Sequence, residues 1–369
     1  MKFHNIIVLY NPFSGRFSFK KLNFIKYYLN SLNIKTTILN ITEKEFYDKL
    51  NNSHNDFLLH YDAVFLAGGD GSLNHIINKL VFTDVPIAHV PMGTVNLFAL
   101  ENKTPFNIKK ALDDIINKYE PKKINLGKIN DRFFLIMAGV GFDAYVVKEF
   151  ENKLHKTNEK SKISKKNNIF KYINYIGSVI TTLKKYEFID LKVNILYNDN
   201  KLTNLTEYAV SSKNNAANNK QDFIDRAESD FEKCSIKNLS ATKNLSEKNI
   251  IAKQVIASNL KYYGGPFKVF PNSSCFDDNI NVRLIKNINN SFNALLCMVK
   301  SIMLSKQYIK NSEFFMKAKK ITINASVPAK NSMVYCQCDG EFFGTLPVEI
   351  IKVCNAVTLL ISPDGEIML

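Results

Sequence analysis

The sequence predicts an α/β N-terminal domain with a parallel, doubly wound sheet, followed by a mostly antiparallel β-sandwich C-terminal domain. In the first third, short apolar runs alternate with helical spacing, and several runs end in glycine-bearing turns. From about residue 124 the pattern changes to short strands. A length of 369 residues suits two domains of about 100–200 residues each. We expect domains at 1–125 and 126–357, with 358–369 as a strand that could return to the first domain.

The elements of the first domain follow a strand-helix alternation. Apolar, β-rich runs predict strands at residues 6–10, 36–41, 63–67 and 87–90, and helical spacing predicts helices at 21–32, at 74–80 and from Asn96 onward. In such a sheet, ligands bind beyond the carboxyl ends of the strands.

The second domain is predicted from short β-rich runs. Strands are expected at residues 133–137, 191–195, 255–257, 281–285, 320–323, 333–337 and 358–361, with helical signals only at 170–185 and 291–309. Residues 211–249 are rich in Asn, Lys and Ser, which predicts a mobile polar insertion.

Charge, hydropathy and cysteine usage limit the partners and the cellular location that we expect for the protein. The net charge of +15 favours anionic partners, either lipid headgroups, nucleic acid or nucleotide phosphates, although heavy use of Lys and Asn explains it equally well. No apolar run reaches the roughly 18 residues of a membrane span, and residues 1–10 fit a first strand better than a signal peptide, so we expect a cytosolic protein. The six scattered cysteines favour reduced thiols. Strand alternation explains Cys336 and Cys338 better than zinc does.

Glycine-bearing turns after the predicted strands are the strongest chemical signal. In residues 66–74 the run Gly68-Gly69-Asp70-Gly71-Ser72 lets the backbone approach an anion at a helix start, although a tight turn without ligand is the alternative. The carboxylate of Asp70 would repel phosphate unless Mg²⁺, a ribose or a lysine offsets it.

Further turns at residues 11–15 and 91–96 repeat the pattern and would converge with the first on one crevice. Thr94 could bind phosphate or cap a helix. The absence of GxxxxGK[ST] excludes a P-loop. A fourth candidate is Asp339-Gly340-Glu341, two carboxylates straddling a glycine, for which a β-turn with solvated acids is the alternative.

Six motifs stand in the order found in the diacylglycerol kinase catalytic-domain superfamily, which the chain resembles. They are Asn-Pro-Phe-Ser-Gly at 11–15, Gly-Gly-Asp-Gly-Ser at 68–72, Pro-Met-Gly-Thr at 91–94, Gly-Val-Gly-Phe-Asp-Ala at 139–144, Tyr-Gly-Gly-Pro-Phe at 263–267 and Asp-Gly-Glu at 339–341. That superfamily includes bacterial diacylglycerol and lipid kinases, sphingosine kinases and ceramide kinases.

The resemblance implies ATP bound between the two domains and a lipid hydroxyl as phosphate acceptor. It implies nucleotide contacts at Asn11, Pro12, Phe13, Ser14, Gly15, Gly68, Gly69, Asp70, Gly71, Ser72, Leu73, Asn74, Gly93 and Thr94. One carboxylate of Asp339 or Glu341 would take the proton of the hydroxyl, and Asp339 is favoured. A phosphate cradle, Mg²⁺ and a carboxylate are the parts that phosphoryl transfer needs.

The resemblance also implies a structural Mg²⁺ and a set of partners. Asp278 would be a ligand, together with backbone carbonyls near Cys275 and Ile280; Asn279 replaces the usual glycine but tolerates the same backbone conformation. The expected partners are a lipid substrate presented at a membrane surface and peripheral contact with that membrane, without nucleic acid. A homodimer is left open.

Three departures from the family pattern leave the acceptor open. Leu97 and Asn125 stand where acids are usual, and His75 stands where Glu is frequent, a position that favours a capping or packing role. An NAD kinase, which shares the Gly-Gly-Asp-Gly turn, and a catalytically silent binding module remain the alternatives to a lipid kinase.

Overall fold

A computed structural model describes residues 3–53, 56–158, 186–198, 245–286, 313–326 and 333–368. The strands are β1 (Asn5–Tyr10), β2 (Lys35–Asn40), β3 (Ala63–Gly68), β4 (Ile87–Pro91), β5 (Glu120–Ile129), β6 (Arg132–Phe134), β7 (Met137–Val140), β8 (Leu191–Asn198), β9 (Leu245–Ala252), β10 (Gln254–Ser258), β11 (Ile280–Ile285), β12 (Glu313–Ala318), β13 (Lys320–Ala325), β14 (Tyr335–Cys338), β15 (Glu341–Thr345) and β16 (Val348–Ile361). The helices are α1 (Phe19–Ser31), α2 (Lys44–Ser53), α3 (Asp70–Leu80), α4 (Leu97–Glu101), α5 (Ile108–Asn117) and α6 (Phe142–Asn158), with 3-10 turns at Asp56–His60 and Glu366–Met368.

The first domain is an α/β unit with a parallel sheet. Strands β2, β1, β3 and β4 lie side by side in that order, all parallel. Strand β3 is buried along its whole length, as its uninterrupted apolar sequence predicts for a central parallel strand. Helices α1 and α5 cover one face, where Leu22, Ile25 and Leu112 join a core with Phe65. The predicted fold class is confirmed in this domain.

The second domain is a sandwich of antiparallel strands. A six-stranded sheet has the order β12-β11-β10-β7-β14-β15. Its inner face packs on the antiparallel part of the first sheet through a core that includes Val140, Val282, Ile321 and Ile350. The predicted antiparallel domain is also confirmed.

Strand β16 connects the two parts of the larger sheet. Its first residues pair with β13 in antiparallel fashion, from Val348↔Ile323 onward. Further along, Leu359 pairs in parallel with Ile87 of β4, and most of the strand also pairs with β5. The end of the chain therefore lies against the first domain.

Helix α6 and the start of strand β9 differ from what the sequence predicted. Helix α6 (Phe142–Asn158) lies where no helix was predicted; it follows Gly141, whose φ of +108° turns the chain out of β7, and it buries Phe142 and Val146. Residues 245–249 of the predicted insertion belong to strand β9, whose pairing with β8 orders a polar sequence. The rest of that insertion and the helical segments expected at 170–185 and 291–309 lie outside the described residues.

The expectations on cysteines and membrane spans can be compared with the described residues. Cys275, Cys336, Cys338 and Cys354 form no disulfide there, and the first three are buried, the pair in β14 by strand alternation. None of the helices in these ranges is long and apolar enough to cross a membrane.

Candidate active site

The three glycine-bearing turns of the first domain meet at the carboxyl ends of β1, β3 and β4. The backbone N–H of Asn11 donates to Ala67 O at 3.2 Å, and its side-chain Nδ2 donates to Ser72 Oγ at 2.8 Å. The N–H of Met92 donates to Gly68 O at 2.8 Å. These bonds join the turns into one surface, as their positions in the sequence predict.

Glycine is required where two of these turns touch. A Cβ on Gly69 would lie 2.9 Å from the Cα of Gly93, closer than real Cβ contacts come. The side chain of Asn96 fixes the second turn, because its Oδ1 accepts from Gly93 N at 2.7 Å and its Nδ2 donates to Gly93 O at 3.0 Å. Asn96 itself has a φ of +59°, which asparagine tolerates better than most residues.

Helix α3 begins at the strongest motif, four residues earlier than predicted. It starts at Asp70, and Gly69 before it supplies no side-chain cap. The first-turn N–H groups of an uncapped helix are suited to an anion. The motif thus provides the backbone donors that phosphate binding requires.

Asp70 has a different partner from those expected. Its carboxylate accepts from the N–H groups of Leu97 at 2.9 Å and Phe98 at 3.2 Å, so it caps helix α4. The N-cap residue of α4 is Asn96, so the idea that Thr94 caps this helix was wrong. Asp70 therefore joins the turn at 66–74 to the helix that follows the turn at 91–96, and its charge is met by backbone donors.

Replacing Asp70 by Asn should weaken this junction. The amide keeps one acceptor but turns an N–H₂ group toward a backbone N–H, and the charge at the helix start is lost. We expect the free energy of unfolding to fall by about 1 kcal/mol, measured by urea denaturation. Asp84→Asn, at an exposed ion pair with Lys123, is the control and should be neutral. Equal stability of the two variants would contradict the capping role.

The Asp-Gly-Glu motif lies at the hairpin between β14 and β15. Asp339 and Gly340 have φ values of +49° and +81°, the pattern of a two-residue type I′ turn. The turn was one of the two alternatives, but the carboxylate of Asp339 is half-buried and is bonded to the backbone. It accepts from the N–H groups of Leu135 at 2.8 Å, Ile136 at 2.9 Å and Met137 at 2.8 Å.

This carboxylate also explains why the strand expected at residues 133–137 is interrupted. Strand β6 ends at Phe134 and β7 begins at Met137. The intervening N–H groups donate to Asp339 and not to a neighbouring strand. The prediction of one continuous strand was therefore wrong.

Burial and neighbouring charge place Asp339 close to its titration midpoint at neutral pH. Burial raises the pKa of Asp339 to about 7, against the lowering effect of its three backbone donors, and the charge of Asp70 raises it further. A carboxyl group of this kind can exchange a proton near pH 7.

Glu341 brings the second domain into contact with the glycine-bearing turn at residues 66–74 of the first. A Cβ on Gly71 would lie 3.2 Å from Glu341 Oε1. The other oxygen, Oε2, forms an ion pair with Arg132. Arg132 was missed from the sequence, although arginine occurs only four times in this lysine-rich chain. The two halves thus form one cleft with carboxylates on one side and backbone donors on the other.

Two family models match the chain on both sides of this cleft. Residues 5–129 match the diacylglycerol kinase catalytic domain, and residues 230–361 match the YegS C-terminal NAD kinase beta sandwich-like domain. The chain belongs to the diacylglycerol kinase catalytic-domain superfamily.

Individual relatives agree with this membership. A diacylglycerol kinase from Staphylococcus saprophyticus is 33% identical over 152 residues, which are 40% of this chain and 48% of that protein. An uncharacterized Synechocystis protein is 28% identical over 218 residues, 57% of this chain and 47% of its own length. The chain thus spans about half the length of the curated relatives it matches. A crystal structure of a diacylglycerol kinase from Bacillus anthracis has a TM-score of 0.61 at 18% identity over 99% of both chains, a likeness in fold.

The remaining residues implied by this superfamily differ in what they offer a nucleotide. Leu73 is fully buried in the core of the first domain, so its side chain cannot contact a ligand. Asn74 is buried as well, and its Nδ2 has no partner among the described residues. Phe13 is 79% exposed, and Ser14 donates its N–H to Asn11 O at 3.1 Å. The turn at 11–15 thus borders the cleft with its backbone ordered.

The positions that depart from the superfamily pattern hold neutral or packed groups. Leu97 is buried, and its N–H belongs to the Asp70 cap. His75 packs against the rings of Phe46 and Tyr47, with centroids 6.4 and 6.3 Å away, and burial lowers its pKa. These contacts agree with the packing role expected for His75.

The segment implied to hold a structural Mg²⁺ does not fit that ion. The carbonyl of Cys275 accepts from Asn125 N at 2.8 Å, and Ile280 lies in β11 opposite Ala318. The carboxylate of Asp278 is exposed and accepts from Cys354 Sγ at 3.5 Å. No group of three His, Cys, Asp or Glu side chains suited to a metal occurs among the described residues. We therefore assign no metal to Asp278, Cys275 and Ile280.

Proposed function

We propose that the protein is an ATP-dependent lipid kinase, which transfers the γ-phosphate to a hydroxyl of a diacylglycerol-like or sphingoid lipid. The observation that carries this proposal is the position of Glu341 Oε1 beside Gly71 at the first turn of α3. A carboxylate of the second domain therefore lies against the turn of the first domain that we propose binds the phosphates. Membership of the superfamily and the names of the staphylococcal relatives support the same activity.

The triphosphate is proposed to lie at the start of α3. Gly69 and Gly71 let its oxygens approach the backbone, and the turns at 11–15 and 91–96 border the same cleft. Mg²⁺ bound with ATP would neutralise charge on the phosphates. Glu341 would hold it, since its Oε1 makes no hydrogen bond within the described residues and faces the helix start.

Asp339 is proposed to accept the proton of the lipid hydroxyl. Its Oδ2 takes one backbone N–H and so keeps a lone pair for a proton. The three N–H donors hold the carboxylate in one orientation, which is the positioning that a general base requires. Arg132, paired with Glu341, supplies positive charge beside the transferred group.

The rate of phosphate transfer should depend on pH through Asp339. Because its pKa is raised to about 7, the protonated form predominates below that pH and cannot take a proton. We expect log kcat/KM to rise by about one unit per pH unit below pH 7 and to level off above it. Initial rates of phosphate transfer measured across this pH range would test the prediction. The Glu341→Gln variant keeps Asp339 and should show the same inflection near pH 7. A flat profile for the wild type would contradict Asp339 as the base.

The acceptor is identified by transfer of label from γ-labelled ATP to a panel of diacylglycerol, monoacylglycerol, sphingosine, ceramide, phosphatidylglycerol and NAD. The lipids are offered in anionic vesicles, because helix α1 exposes Phe19 and Tyr27 next to the exposed Lys20 and Lys26 in the sequence. Exposed aromatic and basic side chains together suit an acidic membrane surface. Label in one lipid would support the proposal and name the acceptor. Label in NAD would overturn it, and ATP binding without transfer would indicate a silent binding module.

A further inference from the structure

Lys352 is a buried cation beneath the loop of residues 271–280. It lies on β16 with 6% of its surface exposed. Its Nζ donates to Ser274 O at 3.3 Å and to the side-chain oxygen of Asn259. A buried ammonium with acceptors from a loop and from a neighbouring turn fixes those two segments relative to β16.

Three further carbonyls of this loop also have nitrogen donors. Asn125 donates its backbone N–H to Cys275 O at 2.8 Å and its Nδ2 to Asp277 O at 3.0 Å. Lys319 Nζ donates to Asp278 O at 2.9 Å. Mg²⁺ requires a near-octahedral set of oxygen ligands at about 2.0–2.1 Å. Here the carbonyls of Ser274, Cys275, Asp277 and Asp278 are turned toward nitrogen donors.

The charges around the loop also disfavour binding of a metal cation. Lys317 Nζ pairs with Asp277 Oδ2 at 2.8 Å, so that carboxylate is neutralised. With Lys319 and Lys352, three lysines surround the segment. A divalent ion placed among them would be repelled at short range.

We propose that the Lys352 ammonium, together with Asn125 and Lys319, holds the 271–280 loop in the place of a metal ion, so that the fold of this protein does not depend on Mg²⁺. The same network reaches the candidate catalytic turn. Asn259 Nδ2 donates to Leu135 O at 2.8 Å, and the N–H of Leu135 donates to Asp339. The inference does not rest on the proposed kinase activity.

The first test is the melting temperature of the wild-type chain without nucleotide, measured in EDTA and across a Mg²⁺ titration. We expect Tm to change by less than about 1 °C, because no binding to the native state means no stabilisation by mass action. A saturable rise of several degrees that Asp278→Asn abolishes would overturn the proposal. Since this comparison reads stability and not turnover, its failure is distinct from failure of the kinase assignment.

The second test compares Lys352→Met with Lys320→Met. Methionine fills the space of the lysine stem but leaves Asn259 Oδ1 without a donor and leaves Ser274 O with only the N–H of Asp277. We therefore expect Tm to fall by about 5 °C or more. Lys320 forms a partly exposed ion pair with Glu349, and its replacement should shift Tm by no more than about 1 °C. An unchanged Tm for Lys352→Met would overturn the proposal. If that variant does not fold, the wild-type comparison in EDTA and Mg²⁺ decides alone.

Discussion

Asp339→Asn should lower kcat for phosphate transfer by about 10²–10⁴-fold, the range that general base catalysis contributes. An amide cannot take the proton of the lipid hydroxyl at neutral pH. It would also turn an N–H₂ group toward some of the backbone donors of Leu135, Ile136 and Met137. Steady-state kinetics with the acceptor found in the lipid panel would measure the loss.

Two further variants make this result specific. Asp84→Asn removes an exposed carboxylate that pairs with Lys123 and not with the turn, so it should leave kcat unchanged. Glu341→Gln keeps the hairpin but removes the charge beside Gly71. It should therefore raise KM for ATP and leave the pH inflection in place. If Asp339→Asn kept kcat within about threefold while Glu341→Gln abolished it, the base would be Glu341 and our assignment would be wrong.

Gly69→Ala should weaken ATP binding by at least about tenfold, equivalent to about 1.4 kcal/mol. The added Cβ would lie 2.9 Å from the Cα of Gly93, and since both groups belong to the backbone, one of the two turns must move. Either movement displaces donors from the proposed phosphate site. Calorimetric titration with a non-hydrolysable ATP analogue would measure the dissociation constant.

Gly71→Ala provides a graded comparison for this prediction. Its Cβ would meet only Glu341 Oε1, at 3.2 Å, and the end of a flexible side chain can move aside. We therefore expect a smaller loss of affinity than for Gly69→Ala, with a melting temperature close to that of the wild type. Equal affinities for the wild type and Gly69→Ala would show that the nucleotide does not use this turn.

The parts of the fold that could be predicted from the sequence are those specified locally. The apolar runs that became β1, β3 and β4 were located to within one residue at each end, because a buried parallel strand requires a continuous apolar sequence. The glycines after these strands also identified the turns correctly, because the close approach of two backbone segments excludes a Cβ.

The contacts that could not be predicted are those between residues far apart in the chain. Asp339 interrupts the segment at Leu135 through bonds that span 204 residues. Asp70 caps α4 across 27 residues, so its sequence position suggested a ligand that the fold does not need. Nothing in the local sequence of either segment records these partners.

The expectation of a structural Mg²⁺, which the contacts of the loop do not support, also came from local sequence. It rested on residues within the 271–280 loop, whereas the donors that satisfy the loop come from Asn125 and from Lys352 on β16. A lysine in a strand is usually exposed, so the sequence gives no sign that this ammonium is buried. The substitution of Asn125 for the usual acid was visible, and its amide donor explains how the loop tolerates it.

If the two halves of the chain form a single phosphoryl-transfer site, a bound nucleotide must contact both of them. A crystal structure with a non-hydrolysable ATP analogue and Mg²⁺ would show whether it does. We expect the γ-phosphate between the first turn of α3 and the Asp339–Gly340–Glu341 hairpin, with a carboxylate oxygen of Asp339 within about 4 Å of the position of an attacking hydroxyl. A nucleotide bound elsewhere, or with its γ-phosphate turned away from both carboxylates, would contradict it.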